Sequence, residues 1–258
     1  MLRHLPLSLP VLTLGLAIAG GMAPAAAAPP ETAPGELVQA LNQIEAASDA
    51  RDVAAVLAAY GPSFASSDGF SRDQLEQTLQ QFWQQYATLD YAIELVAWEP
   101  SAGGFTAETI TRIQGTQAQS NRQLELTAEV RSRQRFENGQ IVYQEILSEQ
   151  SQLTTGANPP SLTVNLPSQI APGAKYSFDA IVQEPLRNRA LLGIALDEGV
   201  TAEDFLAPRP LLLESLSAGG LFKTGQAPER SDNRWVSAVI VREDGITVET
   251  RRLRVGAE

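Results

Sequence analysis

The sequence predicts two units in tandem: an α+β cone, with three helices on a curved and mainly antiparallel sheet, followed by a small all-β sandwich. Three observations carry that expectation. Apolar residues recur at helical spacing as far as Tyr86 and at strand spacing from Tyr91 onward. Composition breaks near residue 157, after which only short strand patterns and turn signals remain. The chain also opens on an uncharged apolar run that ends in small residues before two prolines, which sets the first 28 residues apart from the fold.

That opening segment has the layout of a secretory signal peptide. Arg3 and His4 precede the apolar stretch Leu5 to Ala19, and the run Gly20 to Ala28 then supplies small side chains. Either Ala23-Pro24-Ala25 or Ala25-Ala26-Ala27 meets the peptidase's demand for small groups. An uncleaved anchor helix is the competing reading, weakened by Pro6, Pro10 and the Gly20-Gly21 pair. Residues 29–35 are expected to be a flexible leader. Export into a bacterial periplasm or medium follows, with no transmembrane anchor after cleavage.

Composition removes several function classes. With 19 Lys+Arg against 30 Asp+Glu, the net charge of −11 offers no general attraction for nucleic acid. The chain has no cysteine, so disulfides, thiolate metal sites and cysteine nucleophiles are excluded. His4 is the single histidine and lies in the expected signal segment, so the mature chain has no histidine for a triad, a zinc site or a general base. Lys175 and Lys223 are the lysines, and neither stands in a Ser-x-x-Lys pattern. No cofactor is expected.

Within residues 36–153, the cone, Leu37, Leu41 and Ile44 form one helical stripe and Val53, Val56, Leu57 and Tyr60 a second. Ser71 and Gln74 form a capping box ahead of a third stripe of Leu75, Leu79, Phe82, Trp83 and Tyr86. Strands are predicted over 91–98, 105–114, 123–136 and 140–147, the last two joined by the turn Glu137-Asn138-Gly139. In the third strand Leu126, Val130, Ser132, Gln134 and Phe136 share one face, and Glu129, Arg131, Arg133 and Arg135 share the other. The segment 154–160 (TTGANPP) reads as a linker. Residues 161–258 then hold strand candidates at 162–166, 175–183, 190–196, 211–215, 235–242 and 246–255, a number and spacing that suit an immunoglobulin-like sandwich. In the last hairpin both faces of 235–242 are apolar, which predicts a central strand.

The run DVAAVLAAYGPSFASSD (Asp52 to Asp68), then FSRDQLEQTLQQFW and RFENGQIVYQEIL, resembles the nuclear transport factor 2-like superfamily, in particular its SnoaL-like branch, over about residues 36–150. The resemblance implies a pocket between helices and sheet. It also implies a general-base position at Asp68, as in the ketosteroid isomerases of that superfamily. The oxyanion-stabilising positions of those enzymes fall on Ile44, which has no donor, and Ser132, a neutral hydroxyl. Asp68 is therefore either a base or the first residue of an ordinary Asp68-Gly69 turn. Tyr60, Trp83, Tyr86 and Tyr143 either line a cavity for a ligand or pack the core.

Two further groupings have bland first readings. Asp197, Glu198, Glu203 and Asp204 suit a solvated acidic loop before a calcium site, since they lack the spacing and glycine of an EF-hand. Arg251, Arg252 and Arg254, like Arg131, Arg133 and Arg135, suit a charged outer surface before a docking face. The expectation for function is thus an exported noncatalytic protein whose cone binds a small apolar molecule or a protein partner, as monomer or homodimer. The alternatives are an isomerase or cyclase using Asp68 with Ser132, and a dimerisation or assembly module.

Overall fold

The computed structural model describes residues 27–119, 122–185, 190–201, 212–216 and 219–256, so the expected signal segment lies outside the described residues except for Ala27 and Ala28. The chain runs α1 (Gly35–Asp49), α2 (Val53–Ala58), β1 (Tyr60–Ser66), α3 (Arg72–Gln85), β2 (Thr88–Ser101), β3 (Gly104–Gln119), β4 (Arg122–Glu137) and β5 (Gln140–Gly156). It continues with β6 (Leu162–Asn165), β7 (Gln169–Ile170), β8 (Lys175–Val182), β9 (Leu192–Gly199), β10 (Glu214–Ser215), β11 (Gly220–Gln226), β12 (Asp232–Arg242) and β13 (Gly245–Val255).

The helices form where their sequences direct, except that α2 stops at Ala58 and Tyr60, expected on its stripe, opens β1 instead. Asp52 caps α2 by accepting from the Ala55 N–H at 3.0 Å, and Ser71 and Gln74 close the capping box of α3. Their apolar stripes cover one face of the sheet: Leu37, Leu41, Ile44, Val56 and Trp83 meet Leu89, Ala107, Phe136 and Ile141 in one core. The β4–β5 hairpin turns through Asn138 (φ 51°) and Gly139 (φ 78°), the pair of positive values a two-residue turn of this hand requires. In β4 the face holding Ser132, Gln134 and Phe136 is buried and that of Arg131, Arg133 and Arg135 is exposed.

The architecture corrects the expected fold class. The molecule is mostly β, and a single ten-stranded sheet in the order β10-β9-β12-β13-β5-β4-β3-β2 runs through both halves, with β1 beside β5 and β7 beside β13. It is neither a three-helix α+β cone nor a cone followed by a separate immunoglobulin-like sandwich. The cause is the length of β5. It continues past Leu147 to Gly156, and its last seven residues pair antiparallel with β13 from Arg251↔Gln150 to Gly245↔Gly156. The first three residues of the expected linker, Thr154 to Gly156, are therefore strand. The C-terminal half adds a second layer, β11-β8-β6, which packs Tyr176, Phe178 and Leu221 against Val236, Ile240 and Leu253 of the main sheet. As its two apolar faces predict, β12 is central, between β9 and β13.

The rest of the linker is held by the β12–β13 turn. Gly156 has φ 106°, and a Cβ there would stand 2.5 Å from the Asp244 carbonyl oxygen, so only glycine lets the turn approach. Asn158 donates to that same carbonyl, and the buried Thr247 hydroxyl donates to the Pro160 carbonyl at 2.7 Å.

The free edge of β2 is covered rather than left as a template for another chain. Glu45 and Asp49, one turn apart on α1, accept from the backbone N–H groups of Ile93 and Tyr91 at 2.6 and 2.8 Å. Farther along, Ala28 and Trp98 exchange both backbone hydrogen bonds, and a 3-10 turn at Pro30–Thr32 brings Thr32 Oγ1 within 3.1 Å of the Trp98 indole nitrogen. The leader expected to be flexible is thus docked on the sheet.

Burial in the first core pushes the Tyr60 phenol up to about 12. A phenol raised in the folded state adds stability that is intact below its unfolded value near 10 and disappears as pH rises through the folded value. Melts recorded at about pH 9 and about pH 11.5 should show an alkaline loss, and Tyr60→Phe should shrink that loss by on the order of 2 kcal/mol.

Candidate functional site

The site lies where the large sheet forks. β13 leaves β5 after the pair Arg251↔Gln150, and the turn between β1 and α3 enters the gap. That turn is fastened to β5: the Ser67 N–H donates to the Gln144 carbonyl at 2.9 Å and the Ile146 N–H to Ser67 Oγ at 3.4 Å. Its next residue, Asp68, meets the side chains of β12 and β13.

A bulge in β5 sets which residues face the fork. Ser132 pairs with Ile146 but Arg131 pairs with Ser148, leaving Leu147 as an extra residue in the ladder. An extra residue shifts strand alternation by one. Glu149 therefore joins Gln144 and Ile146 on the wall of one cavity, although simple alternation would turn it away.

Arg252 is the centre of this site. Its Nη1 and Nη2 donate to Asp68 Oδ1 and Oδ2 at 2.9 and 3.0 Å, a two-pronged pair, and its Nε and Nη2 donate to Glu149 Oε2 at 3.1 and 2.8 Å. Asn233 Nδ2 adds a bond to Asp68 Oδ1 at 2.7 Å, and the Trp235 indole N–H reaches Glu149 Oε2 at 2.9 Å. The Arg252 and Asp68 side chains are 2% and 6% exposed. Burial works against the Arg252 charge, but the carboxylates of Glu149 and Asp68 outweigh it and its pKa is raised.

Above this cluster is a cavity of about 190 Å³ with walls of Phe64, Phe70, Leu75, Val130, Val200 and Trp235. The Thr78 hydroxyl, also on its wall, is buried with no hydrogen-bond partner among the described residues. A second, more polar cavity of about 510 Å³ shares Asp68, Ile146 and Val200 with it and adds Glu145, Asp232 and Arg254. A small apolar chamber thus opens beside a wider polar one, with the ion cluster on the chamber's wall.

The structure brings Asp68 into this site and places the other sequence candidates elsewhere. Ser132 is buried in a row with Thr109 and Gln134, sharing a 3.2 Å hydrogen bond with the Thr109 hydroxyl, and lines neither chamber. Tyr60 packs edge-on against Phe64 at 4.8 Å, Trp83 donates to the Tyr91 hydroxyl at 2.8 Å, and Tyr86 leans on Phe82 at 4.9 Å. Tyr143 is 39% exposed. None of these four lines either chamber.

The remaining groupings also resolve. Asp197 and Glu198 stand on β9 rather than in a loop, and Asp197 accepts from the Tyr176 hydroxyl at 2.7 Å and from Arg234 Nε at 2.7 Å. Glu203 and Asp204 lie outside the described residues. Arg131, Arg133 and Arg135 are outward and pair with Glu108, Glu145 and Glu137. The trio at the end of the chain is not an outer surface: Arg252 is buried, Arg254 is part-buried against Glu145 at 3.1 Å, and Arg251 is bonded to Gln150 and Glu249. Arg252 was hidden in the sequence because charged residues occupy both faces of β13, a pattern that reads as solvated. The one available signal was Asp68 itself, an acid whose partner had to come from elsewhere in the chain.

Comparisons with known proteins cover the chain in pieces. A family model described as "Domain of unknown function (DUF8623)" matches residues 157–256, a stretch that includes Asn233, Trp235 and Arg252 but not Asp68 or Glu149. No curated protein matches the chain. Among solved structures, an NTF2-like protein of unknown function from Exiguobacterium sp. 255-15 is similar at 17% identity, over 43% of this chain and 95% of that one, with a TM-score of 0.33. An LEH-like epoxide hydrolase from M. tuberculosis is similar at 15% identity, over 43% of this chain and 80% of that one, with a TM-score of 0.30. A computationally designed 17-OHP binder is similar at 14% identity, over 42% of this chain and 88% of that one, with a TM-score of 0.29.

The ion cluster should behave as a buried, mutually dependent unit. Arg252→Met strands two carboxylates and is expected to cost about 3–5 kcal/mol in urea denaturation. Asp68→Asn leaves Arg252 with Glu149 and should cost less, on the order of 1–3 kcal/mol. A loss under about 1 kcal/mol for Arg252→Met is the behaviour of a surface ion pair and would contradict this account.

Proposed function

We propose that this is an exported, noncatalytic binding protein whose small chamber at the fork of the sheet takes a small, largely apolar ligand. The observation that carries the reading is the state of Asp68. Both oxygens of the acid that the family resemblance puts in the base position are held by Arg252, and Asn233 adds a third bond. A general base needs a lone pair free to reach the substrate's proton. An oxyanion site needs donors aimed at the reacting atom, whereas Ser132 is enclosed with Thr109 and Gln134. What is left is a cavity with a mainly apolar surface, three aromatic residues among its walls and the ion cluster on one side, a character that suits a binding pocket. Its volume is below the ~300–1,000 Å³ of drug-sized sites, which favours a compact ligand. Export rests on the N-terminal sequence, with its charged start, apolar run and alanine-rich end.

Native mass spectrometry of the chain taken from its own exported fraction tests both parts. The chain is expected to begin at Ala26 or Ala28 and to retain a small molecule. Leu75→Trp, which fills the chamber, should abolish retention while moving the melting temperature by only a few degrees, roughly the effect of ~1 kcal/mol. Identical spectra for the natural and filled chains would remove the pocket from the proposal. Turnover of a carbonyl substrate that vanished in Asp68→Asn would remove its noncatalytic part.

A further inference from the structure

We infer that the ligand of this chamber is a small organic cation, an ammonium carried on a short alkyl group or a single ring; the inference rests on the binding function just proposed. The argument is one of charge. Among the described residues, Arg252, Asp68 and Glu149 are the charged ones on the chamber wall, so two carboxylates face one guanidinium. The guanidinium is already committed: Nε, Nη1 and Nη2 make four bonds of the five its N–H groups can supply, and its side chain is 2% exposed. It has little to offer an anionic ligand.

The carboxylates are less evenly satisfied. Asp68 uses both oxygens, but the bonds to Glu149 from Trp235 and Arg252 all fall on Oε2. Glu149 Oε1 receives no hydrogen bond from the described residues, and this side chain is 24% exposed. Apolar surroundings penalise a negative charge left without a counterpart, and a positive group entering the cavity relieves that penalty. Phe64, Phe70 and Trp235 line the same wall, and aromatic rings attract a cation through their faces. The Thr78 hydroxyl, buried and unpartnered, can accept from an ammonium N–H. The approach has the same sign: among the described residues of the adjoining polar chamber, Asp68, Glu145 and Asp232 outnumber Arg254. Acidic clefts raise the local concentration of cations and speed their arrival.

Titration calorimetry of the full chain with three probes of one shape tests the inference: cyclohexylammonium, cyclohexanol and cyclohexanecarboxylate, at neutral pH and low salt. The ammonium should bind at least about tenfold more tightly than the alcohol, and the carboxylate should not bind. Glu149→Gln should remove the ammonium's advantage over the alcohol, so that the two probes bind the variant with equal affinity. Equal affinity for ammonium and alcohol in the natural chain would overturn the cation inference and leave the apolar pocket standing. Failure of all three probes to bind would overturn both. Should the Gln variant not fold, raising salt from about 20 to about 200 mM reads the same charge, because only the ammonium should then lose affinity. Ammonium binding that ignores salt would overturn the inference.

Discussion

Arg252 joins three parts of the chain that are far apart in sequence: the β1–α3 turn through Asp68, the middle of β5 through Glu149, and its own strand β13. A guanidinium this deeply enclosed is tolerable only if its donors find acceptors of opposite charge, and the acceptors likewise need the guanidinium. The requirement fixes the angle at which β13 leaves β5 and the depth to which the Asp68 turn enters. The chamber is the space left once those positions are set. Its apolar walls belong to β1, α3, β4 and β12; the first three already meet in the N-terminal core, and the cluster ties β12 and β13 to them.

The same economy of charge separates the two faces of the sheet. On the outer face, Arg112 bridges Glu94 and Glu129, while Arg131 and Arg133 share Glu108, in exposed pairs that are worth little individually. Among the described residues this part of the face is charged rather than apolar. On the inner side of the fork the pairs are buried, and there each bond matters because water cannot replace it. Charged residues of similar type thus serve solubility in one place and geometry in the other, and only burial tells them apart.

That distinction is what the sequence could not express. The helices were legible because periodicity and caps are local properties: the stripe of Leu37, Leu41 and Ile44 and the Ser71–Gln74 box need no distant partner. The alternation of β4 and the Asn138-Gly139 turn were legible for the same reason. Residues 148–155 (SEQSQLTT) have little apolar patterning, yet they form the half of β5 that unites the molecule, since their stability comes from the ladder with β13. The bulge at Leu147 left no mark in composition, and with it the orientation of Glu149 was lost. Asp68 was singled out through resemblance, but its role depended on an arginine 184 positions away.

The pairing of β13 with β5 also bears on how the chain reaches its native state. The strand that closes the large sheet is the last one described, and its partners lie about a hundred residues earlier. Contacts of that separation are slow to form, because the intervening loop must be ordered before the ladder rewards it. Until β13 arrives, the polar half of β5 has a bare edge and Asp68 and Glu149 have no counter-ion. The N-terminal half holds its own core, but the fork of the sheet, the ion cluster and the chamber are completed only when β13 docks.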